Sequence, residues 1–292
     1  MKKYVIVTDS CSDLNREKRD KYNIDYIPMR IIYNGNDIPA SLDWELVSYE
    51  DFYKLMREGV RVKTAQINAH EYLAVFEKYI KDGFDILSIS ISTALSSSYK
   101  GSLIARDELK EKYPESEIIC IDSRNSCWGL GNLCITAAKL RDEGKSIQEV
   151  AEYIEANKQR MHQVCTVESL TYLKRAGRVS ATSAVFGGLL QVKPIIISDV
   201  NGQNSAIEKV KGRKNSFDRI VEMYVEAYEK DPYQRIVIAH ADCLEDAKTL
   251  KNALSAKLPD EEIEIEKIGP IIGASAGPGT VAIYGYGKEV TI

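Results

Sequence analysis

The sequence lacks the features of an exported, membrane-spanning or metal-binding protein. Its first apolar stretch, residues 4–7, is followed at once by Thr8 and Asp9 and is too short for the core of a signal peptide. No uninterrupted apolar run approaches the length that crosses a bilayer. The six cysteines are scattered, without a Cys-x-x-Cys pair or a histidine at metal-ligand spacing. We therefore expect a cytoplasmic protein with reduced thiols, no bound metal and no membrane insertion.

The chain has only a small excess of negative charge, and it lacks the common enzyme motifs. The formal net charge of −4 gives no reason to expect nucleic acid as a partner. The chain has no Gly-x-Ser-x-Gly elbow, no Walker-type loop and no Gly-x-Gly-x-x-Gly after the first strand. Its three histidines, His70, His162 and His240, fall in separate predicted elements. Only His240, at the end of a predicted strand, is placed to reach a site, and a structural role is typical of such a histidine.

What is present is an ordinary globular composition, with 44% hydrophobic and 28% charged residues. A length of 292 residues favours two domains over one, and we place them at residues 1–155 and 156–292. In the first half, short β-branched runs alternate with helical patterns, which predicts a mainly parallel sheet flanked by helices. The predicted strands are residues 4–7, 86–91 and 118–121; the predicted helices are residues 49–58, 69–81, 99–112, 130–143 and 147–160, with Ser48 and Ser98 as N-caps.

The second half predicts another α/β domain, and this one contains a hairpin. The Asn201-Gly202 pair between two apolar runs is a strong hairpin signal. The glycine- and proline-rich residues 268–279 are interpreted as a close-packed loop next to a ligand or a domain interface. The predicted strands are residues 164–167, 193–198, 206–210, 235–240, 263–268 and 281–284, and the predicted helices are residues 216–229 and 244–258.

A hydroxyl-rich turn follows the predicted strand at residues 86–91. Ser96, Ser97 and Ser98 stand where that strand gives way to a helix. Ligands of open α/β sheets bind beyond the carboxyl ends of strands, and free N–H groups at a helix start attract a carboxylate or a phosphate. Helix capping by one serine accounts for the same pattern equally well. Asp9, after the first strand, argues against an anion directly beside it and favours a capping role there.

Two basic segments are the remaining candidates for contact with an anion or a partner. Arg178 follows Gly177, where a predicted helix ends, and can bond the nearby carbonyls or face an anion. Lys211, Arg213 and Lys214 follow the predicted hairpin, together with Lys209. Such a group is usually a solvated face, but in an acidic chain it can also dock a protein or steer phosphate.

Taken together, these segments resemble the DegV family, the bacterial fatty-acid-binding proteins that serve as acyl-carrying subunits of fatty acid kinase. The likeness runs through residues 7–10, the loop with Thr64, residues 91–99, Asp122-Ser123, residues 170–179, residues 192–195 and residues 269–279. The resemblance implies two α/β domains, with an acyl chain in an apolar tunnel and its carboxyl group near the interdomain cleft. It also implies a non-enzymatic lipid-binding subunit, without a covalently bound cofactor, that meets ATP and Mg²⁺ only through its partner kinase.

The resemblance further implies a set of site residues. Thr64 and Ser96 are the candidates for hydrogen bonds to the carboxylate, with Ser97 and Ser275 beside them. Ser98 and Arg178 are secondary candidates, and Lys211, Arg213 and Lys214 are the candidate docking surface for the kinase. Three segments depart from the family pattern: Thr-Ser-Gln-Pro-Ser reads Thr64-Ala65-Gln66-Ile67-Asn68, Ser-Gly-Thr reads Ser96-Ser97-Ser98, and Ser275 stands where a histidine is common.

Alternatives to a fatty acid carrier stay open at this point. The altered head-group residues leave room for a shorter, more polar or differently charged carboxylate. The same hydroxyls suit a hydrolase or acyltransferase that uses the turn at Ser96, with His240 as its base. A ligand sensor without any kinase partner is a third hypothesis.

Overall fold

The computed structural model describes residues 3–179 and 192–292. Among these residues no helix is both long and apolar enough to cross a bilayer.

The strands are β1 (Tyr4–Asp9), β2 (Ile24–Ile27), β3 (Arg30–Tyr33), β4 (Asn36–Pro39), β5 (Lys63–Ala65), β6 (Asp85–Ser90), β7 (Ile118–Asp122), β8 (Met161–Thr166), β9 (Val192–Ser198), β10 (Asn204–Lys211), β11 (Ile236–His240), β12 (Ile263–Lys267) and β13 (Val281–Tyr286). The helices are α1 (Arg16–Tyr22), α2 (Tyr49–Arg57), α3 (Ala69–Lys81), α4 (Ser98–Lys112), α5 (Cys127–Asp142), α6 (Ile147–Asn157), α7 (Thr171–Ala176), α8 (Arg213–Ala227), α9 (Leu244–Ser255) and α10 (Pro270–Ala276).

The first half of the chain forms a parallel sheet in the order β2-β1-β6-β7. Strands β1 and β6 are buried along their whole length, because helices cover both faces of a parallel sheet. The carboxyl ends of β1, β6 and β7 meet at one edge, where each strand is followed by a hydroxyl-rich loop. A second, antiparallel sheet of three short strands, β4-β3-β5, lies beside it and carries Thr64 in β5.

The second half forms a mixed sheet in the order β10-β9-β8-β13-β11-β12. The predicted hairpin is confirmed: β9 and β10 are antiparallel, and Gly202 takes a φ of 74° in their connection. Helices α8 and α9 pack on one face of this sheet around Phe217, Ile220 and Leu250. The other face is directed toward the first half of the chain.

Helix α5 lies between the two large sheets. Almost all of its residues are buried, because it packs against β1 on one side and against β8 and β13 on the other. A Cβ at Gly131 would stand 2.6 Å from the Ser12 carbonyl oxygen, so only glycine allows this close approach to the loop after β1. The main apolar core is continuous across α5 and includes residues of both sheets. The mixed α/β architecture expected from the sequence is confirmed.

The structure corrects several local predictions. Residues 270–276 form helix α10 rather than a loop, because Pro270 stands at the first helical position and Gly277 ends the helix. Helix α1 and the short strands β2 to β4 had no prediction at all, and Lys63–Ala65, expected to be part of a loop, forms strand β5. Ser48 is confirmed as an N-cap, but Ser98 is the first residue of α4 and Ser97 precedes it without a side-chain cap bond. The predicted domain boundary after residue 155 falls inside the last turn of α6 and stays a prediction.

Candidate functional site

An apolar cavity of about 330 Å³ lies between the carboxyl edge of the parallel sheet and the inner face of the mixed sheet. Its walls come from β8, β9 and β13, from the loops after β6 and β7, and from α7 and α10. The apolar lining residues are Met29, Ala65, Ile91, Leu95, Cys165, Val167, Leu173, Ile196, Ile268, Ile271, Ile272, Ala276, Ala282 and Tyr284. The lining contains no carboxylate among the described residues, so the cavity suits an apolar body with an anionic end.

Three hydroxyl groups predicted from the sequence meet at this cavity. Thr64, Ser96 and Ser275 all contribute to its wall. Ser96 is buried, with 8% of its surface exposed, and follows β6 on the loop that leads into α4. Ser275 comes from the last turn of α10, and Thr64 from β5, which pairs with β3. Elements far apart in sequence therefore present hydroxyl donors to one space.

Ser97 and Ser98, the other two serines of the turn, do not line the cavity. Ser98 is fully buried and is absent from the cavity wall. Its Oγ lies 3.0 Å from Ser96 Oγ and accepts a hydrogen bond from the Ile67 N–H at 3.2 Å. Ser98 thus positions Ser96 and the loop after Thr64. Ser97 is exposed and does not line the cavity, so the structure does not bring it together with the other predicted head-group residues.

A basic vestibule of about 230 Å³ adjoins the cavity and shares Thr64, Arg178 and Ser275 with it. Its further cations are Arg61, Lys63 and Arg175, which are all exposed. No carboxylate lines the vestibule among the described residues, and these three cations form no ion pair with them. A negative charge at the hydroxyl end of the cavity is therefore attracted toward the opening.

Arg178 lines both the cavity and the vestibule. Its Nε donates to the Leu95 carbonyl oxygen at 3.0 Å, and its Nη1 donates to the carbonyl oxygen of Ala176. Of the two roles considered for this arginine, the structure shows the bonds to nearby carbonyls, and the role toward an anion stays a prediction. Helix α7 ends at Gly177 with a φ of 66°, which places Arg178 at the cavity.

The predicted docking residues lie at the end of β10 and the start of α8, and none of them lines the cavity. Lys211 and Lys214 are exposed. Arg213 is held within the protein, because it pairs with Asp246 at 2.8 Å, donates to the Gly279 carbonyl oxygen and stacks over Phe217. Of the three, Lys211 and Lys214 are thus free to reach a partner.

Sequence reasoning missed a second polar group on the cavity wall, made of Ser126, Gln163 and Asn204. Gln163 Nε2 donates to Asn204 Oδ1 at 2.9 Å, and Ser126 Oγ donates to Gln163 Oε1 at 3.3 Å. The residues come from the loop after β7, from β8 and from β10, so only the folded chain assembles them. The sequence gives no clear signal for this group, because Gln163 follows His162 just before the predicted strand at residues 164–167.

Asp9 has the structural role that the sequence predicted. Its Oδ1 accepts the Cys11 N–H at 2.9 Å, and its Oδ2 accepts the Ile91 N–H at 2.8 Å. Burial raises the pKa of this carboxyl to about 6, although both backbone bonds oppose the shift. Asp9 thereby fixes the loop after β1 to the loop after β6, and it is absent from the cavity wall.

Asp13 is a buried carboxyl that the sequence did not single out. Neither of its oxygens has a hydrogen-bond partner among the described residues. Burial raises its pKa to about 7, and the nearby Cys127 thiol and Gly269 N–H only partly oppose the rise. It lies beside the start of α10 without lining the cavity.

The serine hydrolase hypothesis finds no base at Ser96 among the described residues. His240 lies elsewhere: its Nδ1 is 3.4 Å from the Tyr49 hydroxyl and accepts the Cys243 N–H at 3.3 Å. Burial, followed by the charge of Lys267, lowers the pKa of this histidine. His240 therefore has the structural role that is typical of a buried histidine, and nothing among the described residues activates Ser96 as a nucleophile.

Comparison with known proteins gives matches over almost the whole chain. The model of the DegV family, described as uncharacterised proteins, matches residues 3–288. A DegV domain-containing protein of Clostridium perfringens is 39% identical over 287 residues, which cover 98% of each chain.

Solved structures also match over almost the whole chain. A fatty-acid-binding DegV family protein of Thermus thermophilus has a TM-score of 0.87 at 25% identity, covering 98% of this chain and 100% of its own. DegV of Bacillus subtilis, a fatty acid binding protein, has a TM-score of 0.83 at 26% identity, covering 99% and 100%. The chain belongs to the DegV family.

Proposed function

We propose that this protein encloses a long-chain fatty acid in the apolar cavity and presents its carboxylate to a separate fatty acid kinase. The observation that carries the proposal is the continuity of an apolar cavity, a cluster of hydroxyl groups and a basic vestibule. This arrangement matches the three parts of a fatty acid: an apolar tail, a polar head and a negative charge. The fatty acids bound by the Thermus thermophilus and Bacillus subtilis relatives support it.

The tail supplies the affinity. Burying about fifteen methylenes contributes on the order of 12 kcal/mol, at about 0.8 kcal/mol each, before the cost of ordering the ligand. The apolar walls from β8, β9 and β13 receive these methylenes.

The head group needs hydrogen-bond donors, because a buried carboxylate without partners costs several kcal/mol. In the proposal Thr64, Ser96 and Ser275 donate their hydroxyl protons to the carboxylate oxygens. Arg178, at the junction with the vestibule, adds a positive charge nearby. Because the vestibule opens to solvent at this end, the carboxylate faces the place where a second protein would act on it.

The chemistry belongs to the partner in this proposal. The kinase brings ATP and Mg²⁺ in the cytoplasm and transfers a phosphoryl group to the exposed carboxylate, whereas the DegV chain provides binding and orientation. The exposed Lys211 and Lys214 are the docking contacts, with Arg213 holding the start of α8 in place.

The direct test is extraction of the protein under denaturing conditions after purification from a bacterial host, followed by mass spectrometry of the lipid fraction. The proposal predicts close to one fatty acid per chain. A protein that carries no acid and also binds none after its addition would overturn the proposal. Incubation with activated esters, followed by intact mass measurement, distinguishes the hydrolase hypothesis, which requires a serine adduct.

A further inference from the structure

The cavity has a second polar region, which the strand order places next to the loop with Ser96 and farther from Thr64. Ser126 follows β7, at one edge of the parallel sheet. Thr64 lies in the small sheet that follows β2, at the opposite edge, and the loop with Ser96 lies between them. Three strand spacings separate β2 from β7, which is roughly 14 Å.

Strand pairing in the mixed sheet also separates Gln163 from Ser275. Val167, Cys165 and Gln163 are alternate residues that face the cavity along β8 and its end. Val167 lies near the start of β13, next to α10 and Ser275, whereas Gln163 pairs with Tyr284 farther along β13. The two ends of this row are roughly 13 Å apart. Gln163 therefore lies away from the Ser275 end of the cavity, on the side where Asn204 bonds the Arg178 carbonyl oxygen.

Gln163 is buried and only partly satisfied. It is 5% exposed, as is Ser126. One of its two amide hydrogens is bonded to Asn204, and its carbonyl oxygen accepts the Ser126 hydroxyl proton. The second amide hydrogen has no acceptor among the described residues. Asn204 is fixed in turn, because its Nδ2 donates to the Arg178 carbonyl oxygen at 3.1 Å.

We propose that Gln163, held by Ser126 and Asn204, recognises a neutral oxygen atom carried along the acyl chain of the ligand, either a hydroxyl or a keto group. This inference rests on the proposed function, because it assumes that an acyl chain fills the cavity. A plain methylene chain leaves the free amide hydrogen buried without a partner, whereas an oxygen substituent accepts it. None of the three side chains carries a positive charge, so the group matches a neutral oxygen better than a second carboxylate.

The test compares stearic acid with 10-hydroxystearic and 12-hydroxystearic acids in a fluorescence displacement assay on delipidated protein. We expect the wild type to bind at least one hydroxy acid about fivefold to tenfold more tightly than stearic acid, as one added neutral hydrogen bond provides. Gln163→Leu should abolish this preference while it keeps or improves stearic acid binding.

Gln148→Leu, at an exposed glutamine of α6, is the matched control and should keep the wild-type preference. If Gln163→Leu does not fold, Ser126→Ala weakens the same group and should lower the preference. Wild-type protein that binds stearic acid at least as tightly as both hydroxy acids would overturn this inference and leave the fatty acid proposal intact. Retention of the preference by a folded Gln163→Leu would also overturn it, and failure to bind any of the three acids would overturn both proposals.

Discussion

Ser96 is the proposed head-group residue whose position the structure defines most closely, because it lines the cavity and its Oγ lies 3.0 Å from Ser98 Oγ. We predict that Ser96→Ala weakens fatty acid binding about tenfold to a hundredfold, as expected for a lost hydrogen bond to a charged group. Fluorescence displacement measures the affinity. Ser97→Ala is the matched control, since Ser97 is exposed and outside the cavity, and it should bind like the wild type. Equal affinities for all three proteins would remove Ser96 from the site.

Asp13 makes stability depend on pH. Its pKa is about 7 in the folded protein and ordinary in the unfolded chain, so the folded state holds the proton more tightly. The stability that comes from this protonation is complete below pH 4 and is lost as the pH rises through about 7. We predict that Asp13→Asn is more stable than the wild type at pH 8, by about 1–3 kcal/mol, and closer to it at pH 4.5.

Urea unfolding at the two pH values measures this difference. Asp218→Asn, at an exposed position of α8, is the control and should follow the wild type at both. If the free energy of unfolding of Asp13→Asn depends on pH as that of the wild type does, Asp13 does not act as a buried carboxyl without a partner. Asp9, with a pKa of about 6, should still contribute a pH dependence in the Asp13→Asn protein.

At the scale of elements, α10 connects the packing of the protein to the head group. A Cβ at Gly273 would lie 2.3 Å from the hydroxyl oxygen of the buried Tyr53, which donates to the Ile268 carbonyl oxygen. We predict that Gly273→Ala displaces α10 with Ser275, lowers the free energy of unfolding by about 1–3 kcal/mol and weakens fatty acid binding. Urea unfolding and fluorescence displacement measure the two effects.

A double-mutant cycle shows whether the Tyr53 hydroxyl is the cause. In a Tyr53→Phe background the oxygen is gone, so Gly273→Ala should cost less stability than it does in the wild type. An equal cost in both backgrounds would mean that the clash lies elsewhere.

Elements with a long, regular pattern could be predicted from the sequence. Helix α3 begins and ends at its predicted residues, because a capping box at Asn68 and a clear apolar stripe both specify it. The strands of three or four residues beside β2 could not be predicted, since so few residues define no periodicity. Helix α10 was missed because glycine and proline usually break helices, and here they stand at its ends.

Residues of the candidate site could be predicted only where their neighbours in the sequence carry the signal. The hydroxyl turn at Ser96 follows a clear strand, and sheet topology indicates that such a loop faces a ligand. Gln163 carries no comparable signal, because a polar residue in a strand usually faces solvent. Its place on the cavity wall depends on the folding together of segments far apart in the sequence, since the wall includes both Met29 and Tyr284.

At the scale of the whole molecule, binding of the acid and docking of the kinase should be separable. We predict that the double variant Lys211→Glu and Lys214→Glu lowers acyl phosphate formation by a cognate kinase with ATP and Mg²⁺ about tenfold, because it reverses the charge of the docking contact. Its affinity for stearic acid should not change, since neither lysine lines the cavity.

The matched control is the double variant Lys110→Glu and Lys230→Glu, which makes the same change in net charge at exposed lysines on α4 and after α8. It should support wild-type rates. Equal losses in both double variants would indicate a general effect of charge and would refute the docking surface.

Calorimetric titration of delipidated protein with stearic acid at several temperatures tests most directly whether an acyl chain is buried in the cavity. The account predicts saturable binding of one acid per chain with a clearly negative heat-capacity change, because apolar surface of both ligand and cavity leaves water. Saturable binding without such a change would place the acid on the surface, and the absence of saturable binding would contradict the account altogether.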